Sequence, residues 1–332
     1  MRSVPWQAWI LALCAAYVAL AITLAPSEYG ATLRMYLGFL LLYGPVIVAV
    51  GLVVVPLVER PRAPLGLLRD ILRARGAPAL VIIVVATLTG AAFTALKHKI
   101  PEYVPFFADR ALADIDRAIH FVDPWVVAHH VLPESLSGVL GFLYGPYWFV
   151  QWIGVIVLMA FSRNTSLRAT YLSAFTLSFA ALSTVGRTAM NSAGPIFYDR
   201  LLGGSRFAPL MQVLADDRGG RSALSIADYL WTSYQDQTAV FGGGISAMPS
   251  LHVAVAFLNA LLASRVHPAL GILGWSYAVV VMFGSVYLGW HYAVDGYLSI
   301  VVVLVVWRLT ERWLGPIRRC VSADGVGADP LA

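Results

Sequence analysis

The sequence predicts an all-α polytopic membrane protein with about eight transmembrane helices, and three observations carry that prediction. Hydrophobic residues make up 59% of the 332 and charged residues only 12%, a balance unsuited to a soluble surface. Apolar runs of roughly 17 to 23 residues, enough to cross a hydrocarbon core about 30 Å thick, recur near 6–25, 36–58, 78–96, 139–161, 169–186, 249–265, 269–288 and 291–313. Arginine, finally, collects on one side of that eight-span count.

Taken in order, the first run is too long for a signal-peptide core and lacks a convincing cleavage site, so it counts as a span. Arg60, Arg62, Arg69, Arg73 and Arg75 follow the second span, Arg163 and Arg168 the fourth, and Arg265 the sixth; Arg308, Arg312, Arg318 and Arg319 lie toward the C-terminus. This distribution predicts both termini in the cytoplasm of a plasma or inner membrane, with Lys97 and Lys99 as the exception. Gly44-Pro45 and Gly145-Pro146 are expected to kink their helices. The expected division is two N-terminal spans with a cytoplasmic amphipathic segment, Leu65 to Arg75, over 1–77, then a six-helix core over 78–313 and a tail over 314–332. Long loops, 97–137 and 187–245, face the other side. Within the first, Ala108 to Val122 places apolar residues at helical spacing, with Asp109, Asp116 and Arg117 largely elsewhere on the wheel, as in an interfacial helix.

Several classes of function are excluded. The net charge of +5 comes from scattered arginines, with no basic and aromatic interleaving, so nucleic acid is not an expected partner. Cys14 and Cys320 would lie at different depths, no metal-ligand cysteine pattern exists, and no cofactor is expected.

Chemistry concentrates between Phe241 and Tyr297, in FGGGISAMPSLHVAVAF and GSVYLGWHYAVDGY. Ionisable groups beside hydrocarbon-length sequence are costly and tend to be functional. A helix starting between Ala247 and Ser250, with Pro249 in its first turn, would present free N–H groups at Ser250 and Leu251 to a phosphate. Ser250 also suits a helix cap. The Gly242-Gly243-Gly244 run lets backbone approach a ligand closely. His252 would stand within reach to donate a proton. His291 and Asp295, four apart on a helix, would share a face, the carboxylate fixing the imidazole tautomer and leaving its other nitrogen free to attack. The sixth span runs in and the seventh returns, so both histidines reach the same face. His252, His291 and Asp295 are therefore the candidate catalytic residues.

MPSLH followed by YLGWHYAVD resembles the second and third motifs of the type 2 phosphatidic acid phosphatase (PAP2) superfamily. The resemblance implies a six-helix core and metal-free phosphate cleavage or transfer. It further implies His291 as a nucleophile that forms a phosphohistidine, Asp295 as its orienting group and His252 as the proton donor to the leaving group. The family's first motif is a lysine, six residues, then Arg-Pro; here Arg187, Gly194 and Pro195 occupy those offsets. The arginine usual six residues before the third-motif histidine is Ser285, and PSGH is PSLH. Fewer fixed cations suit a phosphodiester, which carries a single negative charge. In these departures the chain looks like the branch of inositol phosphorylceramide synthases and, more distantly, sphingomyelin synthases. The expected donor is a phospholipid such as phosphatidylinositol, and the acceptor a lipid, a glycan or water. Arg187 is the candidate for a non-bridging oxygen, with Arg200 and Arg206 behind it. A lipid or polyprenyl phosphate phosphatase remains open, as does a non-catalytic transporter or assembly protein. Trp290, Tyr292 and Trp313 read as interface residues.

Overall fold

The computed structural model describes residues 6–59 and 64–314. Arg60, Arg62, Arg318, Arg319, Cys320 and nearly all of the expected tail lie outside these. All regular structure among the described residues is helical, with no strand. α1 (Trp6–Leu24), α2 (Pro26–Glu59) and α3 (Pro64–Tyr103) come first, then the short α4 (Asp109–His120) and α5 (Pro124–Val131). α6 (Ser137–Tyr144) and α7 (Pro146–Phe161) follow, and α8 (Thr165–Ala180) runs on through a π turn at Ala181–Gly186 to Ala189. The second long loop folds into α9 (Pro195–Leu202), α10 (Ala208–Asp216) and α11 (Arg218–Gln235); α12 (Leu251–Val266), α13 (Pro268–Tyr287) and α14 (Ala293–Leu314) complete the bundle.

By length and composition 6 of the described helices can cross a membrane, and Leu251–Val266 is a shorter apolar helix. With α2, they cover the eight expected segments. The starts are set locally. Asn164 caps α8 by accepting from Leu167 N at 2.9 Å, His267 caps α13 by accepting from Ala269 N at 3.1 Å, and prolines occupy the first turn of α5, α7, α9 and α13. Tight crossings need small residues: a Cβ on Gly274 of α13 would come within 2.9 Å of Ala260 Cα in α12.

Five expectations change on contact with the structure. The amphipathic segment after the second span is not a separate surface helix but the start of α3, whose 40 residues run through Pro78 without a break. At about 1.5 Å per residue, that helix is much longer than a hydrocarbon core is thick. The fourth span is interrupted at Gly145, as the Gly-Pro step predicts, whereas α2 stays helical through Gly44-Pro45. The MPSLH helix begins at Leu251, leaving Pro249 outside its first turn, and the last helix begins at Ala293, leaving His291 ahead of it.

The largest change concerns α4. Asp109 and Asp116 are buried together with Leu112 and Ala113, while Ile115, Ile119 and Phe121 are exposed. The helix therefore turns its two carboxylates inward, because backbone N–H groups wait for them there. Asp109 accepts from Ala193 N and Gly194 N and from the Tyr292 hydroxyl, at 2.9 to 3.1 Å. Asp116 accepts from Ala293 N at 2.9 Å and Val294 N at 3.1 Å, which are the unpaired donors of the first turn of α14. Burial raises both carboxyls above the usual aspartate range, and the backbone donors oppose that rise.

Candidate active site

Two segments meet beneath α4. The first is the start of α12. Ser250 caps it, its Oγ accepting from Val253 N at 3.4 Å, and its own N–H donates to Asp295 O at the same distance. The next two residues, Leu251 and His252, have N–H groups with no intrahelical partner, as at every helix start. The segment is anchored from below by Ser192, whose carbonyl accepts from Ala247 N at 2.8 Å and whose Oγ accepts from Met248 N at 3.0 Å.

The second segment is the turn leading into α14. Asp295 sits in the first helical turn and reaches back, its Oδ2 accepting from Tyr292 N at 3.0 Å and meeting His291 Nδ1 at 3.2 Å. A carboxylate in the first turn that collects the N–H ahead of the helix is half of a capping box. The imidazole is thus oriented even though it stands outside the helix. His291 N also donates to Ser285 O at 3.1 Å, which fixes the backbone behind the ring. With Nδ1 directed at Asp295, Nε2 is the free nitrogen.

The rings of His252 and His291 lie 6.4 Å apart, centre to centre. An attacking nitrogen about 3 Å from phosphorus and a proton donor about 3 Å from the leaving oxygen need a separation on that scale. His252 is itself stacked on Trp148, at 4.0 Å, and on Tyr144, at 4.6 Å, while Trp148 Nε1 donates to His252 O at 3.1 Å. These two aromatics flank the Gly145 break, and sequence reading passed over them. The only signal was their i, i+4 spacing across that break.

Arg187 lies at the end of α8, 1% exposed. One guanidinium nitrogen donates to Ile245 O at 2.6 Å, while Nε and the other terminal nitrogen have no partner. The preceding π turn brings it there: Gly186 abuts Pro249 so closely that a Cβ would approach the ring to 2.8 Å. By contrast Arg200 pairs with Asp228 at 2.6 Å, and Arg206 pairs with Asp114 at 2.5 Å and Asp123 at 3.7 Å, so neither is free for the site. Tyr292 is 2% exposed and bonded to Asp109, not an interface residue, whereas Trp313 is 52% exposed as expected. Among the described residues no group of three or more His, Cys, Asp or Glu side chains is placed to hold a metal ion.

A family model of the PAP2 superfamily matches residues 110–309. The chain belongs to the PAP2 superfamily. Its members are phosphatases and phosphotransferases, and the matched span takes in both histidines, Asp295, Arg187 and the α4 carboxylate Asp116. Neither the curated proteins nor the solved structures compared with the chain gave a match. Two offsets at which the sequence resemblance leads one to expect arginine hold small residues in tight surroundings. Gly194, at one of those positions, has φ +94°, and a Cβ there would collide with the carbonyl oxygen of Trp290. Ser285, at the other, is fully buried and bonded to Met282 O within its own helix.

Asp116→Ala strands the N–H groups of Ala293 and Val294, so it is expected to cost about 1–3 kcal/mol of stability and to lower turnover. Asp116→Asn, which keeps an acceptor, should lose less. Thermal unfolding in detergent beside an activity assay checks this; an alanine variant with an unchanged midpoint would mean that the clamp contributes nothing.

Proposed function

We propose that this PAP2 protein is a lipid phosphotransferase that uses a phosphodiester donor. The observation that carries the reading is the 6.4 Å separation of His252 and His291, with Asp295 on the far nitrogen of the second ring. His291 Nε2 attacks the phosphorus of a phospholipid, phosphatidylinositol being the first candidate. As the N–P bond forms, the P–O bond to diacylglycerol breaks and His252 protonates the departing oxygen. A phosphohistidine diester remains, with Asp295 stabilising the charge on the ring. His252 then takes the proton of an acceptor hydroxyl, from ceramide, another lipid, a glycan or water, and the new P–O bond releases His291. Ser250 and the N–H groups at Leu251 and His252 face the phosphate at the helix start, and Arg187 holds a non-bridging oxygen.

One feature favours a diester donor of the kind used by inositol phosphorylceramide synthases over a phosphate monoester. Gly194 has no room for a side chain and Ser285 is fully buried, so neither offset supplies a cation, and a singly charged diester asks for fewer cations than a dianion does. An apolar crevice of about 350 Å³ between α1, α3, α7 and α8, lined by Phe93, Trp152, Phe175 and Phe179, offers space for an acyl chain of a lipid substrate of either kind.

The site would face the extracytoplasmic side, with both termini in the cytoplasm. Arg163, Arg168 and Arg265 sit at the other end of their helices from His252 and His291, which supports that orientation. A cysteine at the exposed Asp236 position should react with a membrane-impermeant maleimide in intact cells, and one at Arg163 only after lysis; the reverse pattern would invert the topology.

Incubation of the purified protein with labelled phosphatidylinositol and candidate acceptors should move the labelled headgroup onto one of them, as read by mass spectrometry. His291→Ala should reduce this by at least about 1,000-fold. Release of inorganic phosphate from monoester lipids, with water as the sole acceptor, would favour the phosphatase instead. Full activity of His291→Ala would leave only a non-catalytic role.

A further inference from the structure

Lys97 lies near the end of α3, ahead of the segment that the superfamily matches. Positive charge there runs against the arginine pattern of the rest of the chain. Its neighbour Lys99 is accounted for, pairing with Glu102 at 2.7 Å and Glu28 at 3.3 Å. Lys97, two residues earlier and so on another side of the helix, enters no ion pair or hydrogen bond among the described residues. It is half-buried, and the glycine run lies directly on it. A Cβ on Gly244 would come within 3.0 Å of Lys97 Cγ and 3.1 Å of its carbonyl. Phe241 secures that run on the N-terminal helices, packing against Tyr36 at 5.2 Å and Phe39 at 5.3 Å. The residue after the run is Ile245, whose carbonyl holds the Arg187 guanidinium at 2.6 Å.

The lysine is therefore brought against the loop whose carbonyl holds Arg187. Its stem packs on Gly244 and the next residue, Ile245, holds Arg187, so the two basic side chains flank one short stretch of backbone. Two cations, neither paired with a carboxylate, stand near one another where the dielectric is low. An anion held between them would stabilise such an arrangement. The free guanidinium nitrogens of Arg187 already mark where that anion belongs.

We propose that Lys97 is a substrate-binding residue that takes one non-bridging oxygen of the transferring phosphoryl group while Arg187 takes the other. This rests on the phosphoryl-transfer reading above. It gives the glycine run a purpose, since any side chain at Gly244 would push the loop off Lys97. It also makes α3 part of the site, so the helices before the superfamily match do more than anchor the chain. Two cations for the two non-bridging oxygens of a diester fit a chain that has no arginine at the Gly194 and Ser285 offsets.

The test is binding of orthovanadate, a phosphoryl mimic, to the full-length protein in detergent, followed by its rise in thermal midpoint, together with kcat/KM on the lipid donor. Lys97→Met is expected to need about 10- to 100-fold more orthovanadate for the same rise and to lose kcat/KM in proportion. Lys97→Arg should recover most of both, and Lys99→Met should match the wild type. Midpoints without vanadate establish that each variant is folded. Unchanged vanadate response in Lys97→Met, an equal loss in Lys99→Met, or a wild type that vanadate does not stabilise would each overturn the inference. Loss of turnover in His291→Ala alongside an unaffected Lys97→Met would sink this inference and leave the phosphotransfer reading standing. Full turnover in His291→Ala would sink the reading itself.

Discussion

Two carboxylates on one short helix, Asp109 and Asp116, hold the two halves of the site against each other. Asp109 bonds the backbone at Ala193 and Gly194 and also the hydroxyl of Tyr292, while Asp116 takes the N–H groups of Ala293 and Val294. His291 lies directly before this stretch of backbone, and Ser192, directly before the other, anchors the segment that leads to His252. A buried carboxylate with a full set of backbone donors rigidifies what it touches, and an unsatisfied one would be costly. The position of both imidazoles therefore traces back to α4, a helix that carries no chemistry itself.

Much of the candidate site was legible in the sequence because ionisable groups are scarce beside hydrocarbon-length runs. His252, His291 and Asp295 stand out there, and counting spans places them on one face. Ser250 as a cap was equally readable, since its chemistry is local. The clamp was hidden for a physical reason. Helical periodicity assigns aspartates to the solvent side, and their true partners are backbone N–H groups 84 or more residues away in sequence. Tyr292 was misplaced for the same reason: a tyrosine beside a span looks like an interface residue until its hydroxyl is seen on Asp109. His291 and Asp295 do meet, but through a capping contact ahead of the helix and not along its face.

The lost arginines are not simple substitutions. Gly194 sits where only glycine fits, against the backbone of Trp290, so its loop brings the two motif segments close. In the proposed reaction positive charge reaches the phosphate from elsewhere, from α8 and α3. Arg187 arrives by way of the π turn and Lys97 by way of the tight seat of Gly244.

The central claim is that His291 becomes covalently bonded to the phosphorus that His252 helps to release. Rapid mixing of excess enzyme with a labelled phospholipid donor, alkaline quenching and peptide mass mapping test it most directly. The account predicts a headgroup-phosphate adduct on the peptide containing His291, formed and consumed on the timescale of one turnover. An adduct on any other residue, or turnover with none at any quench time, would contradict it.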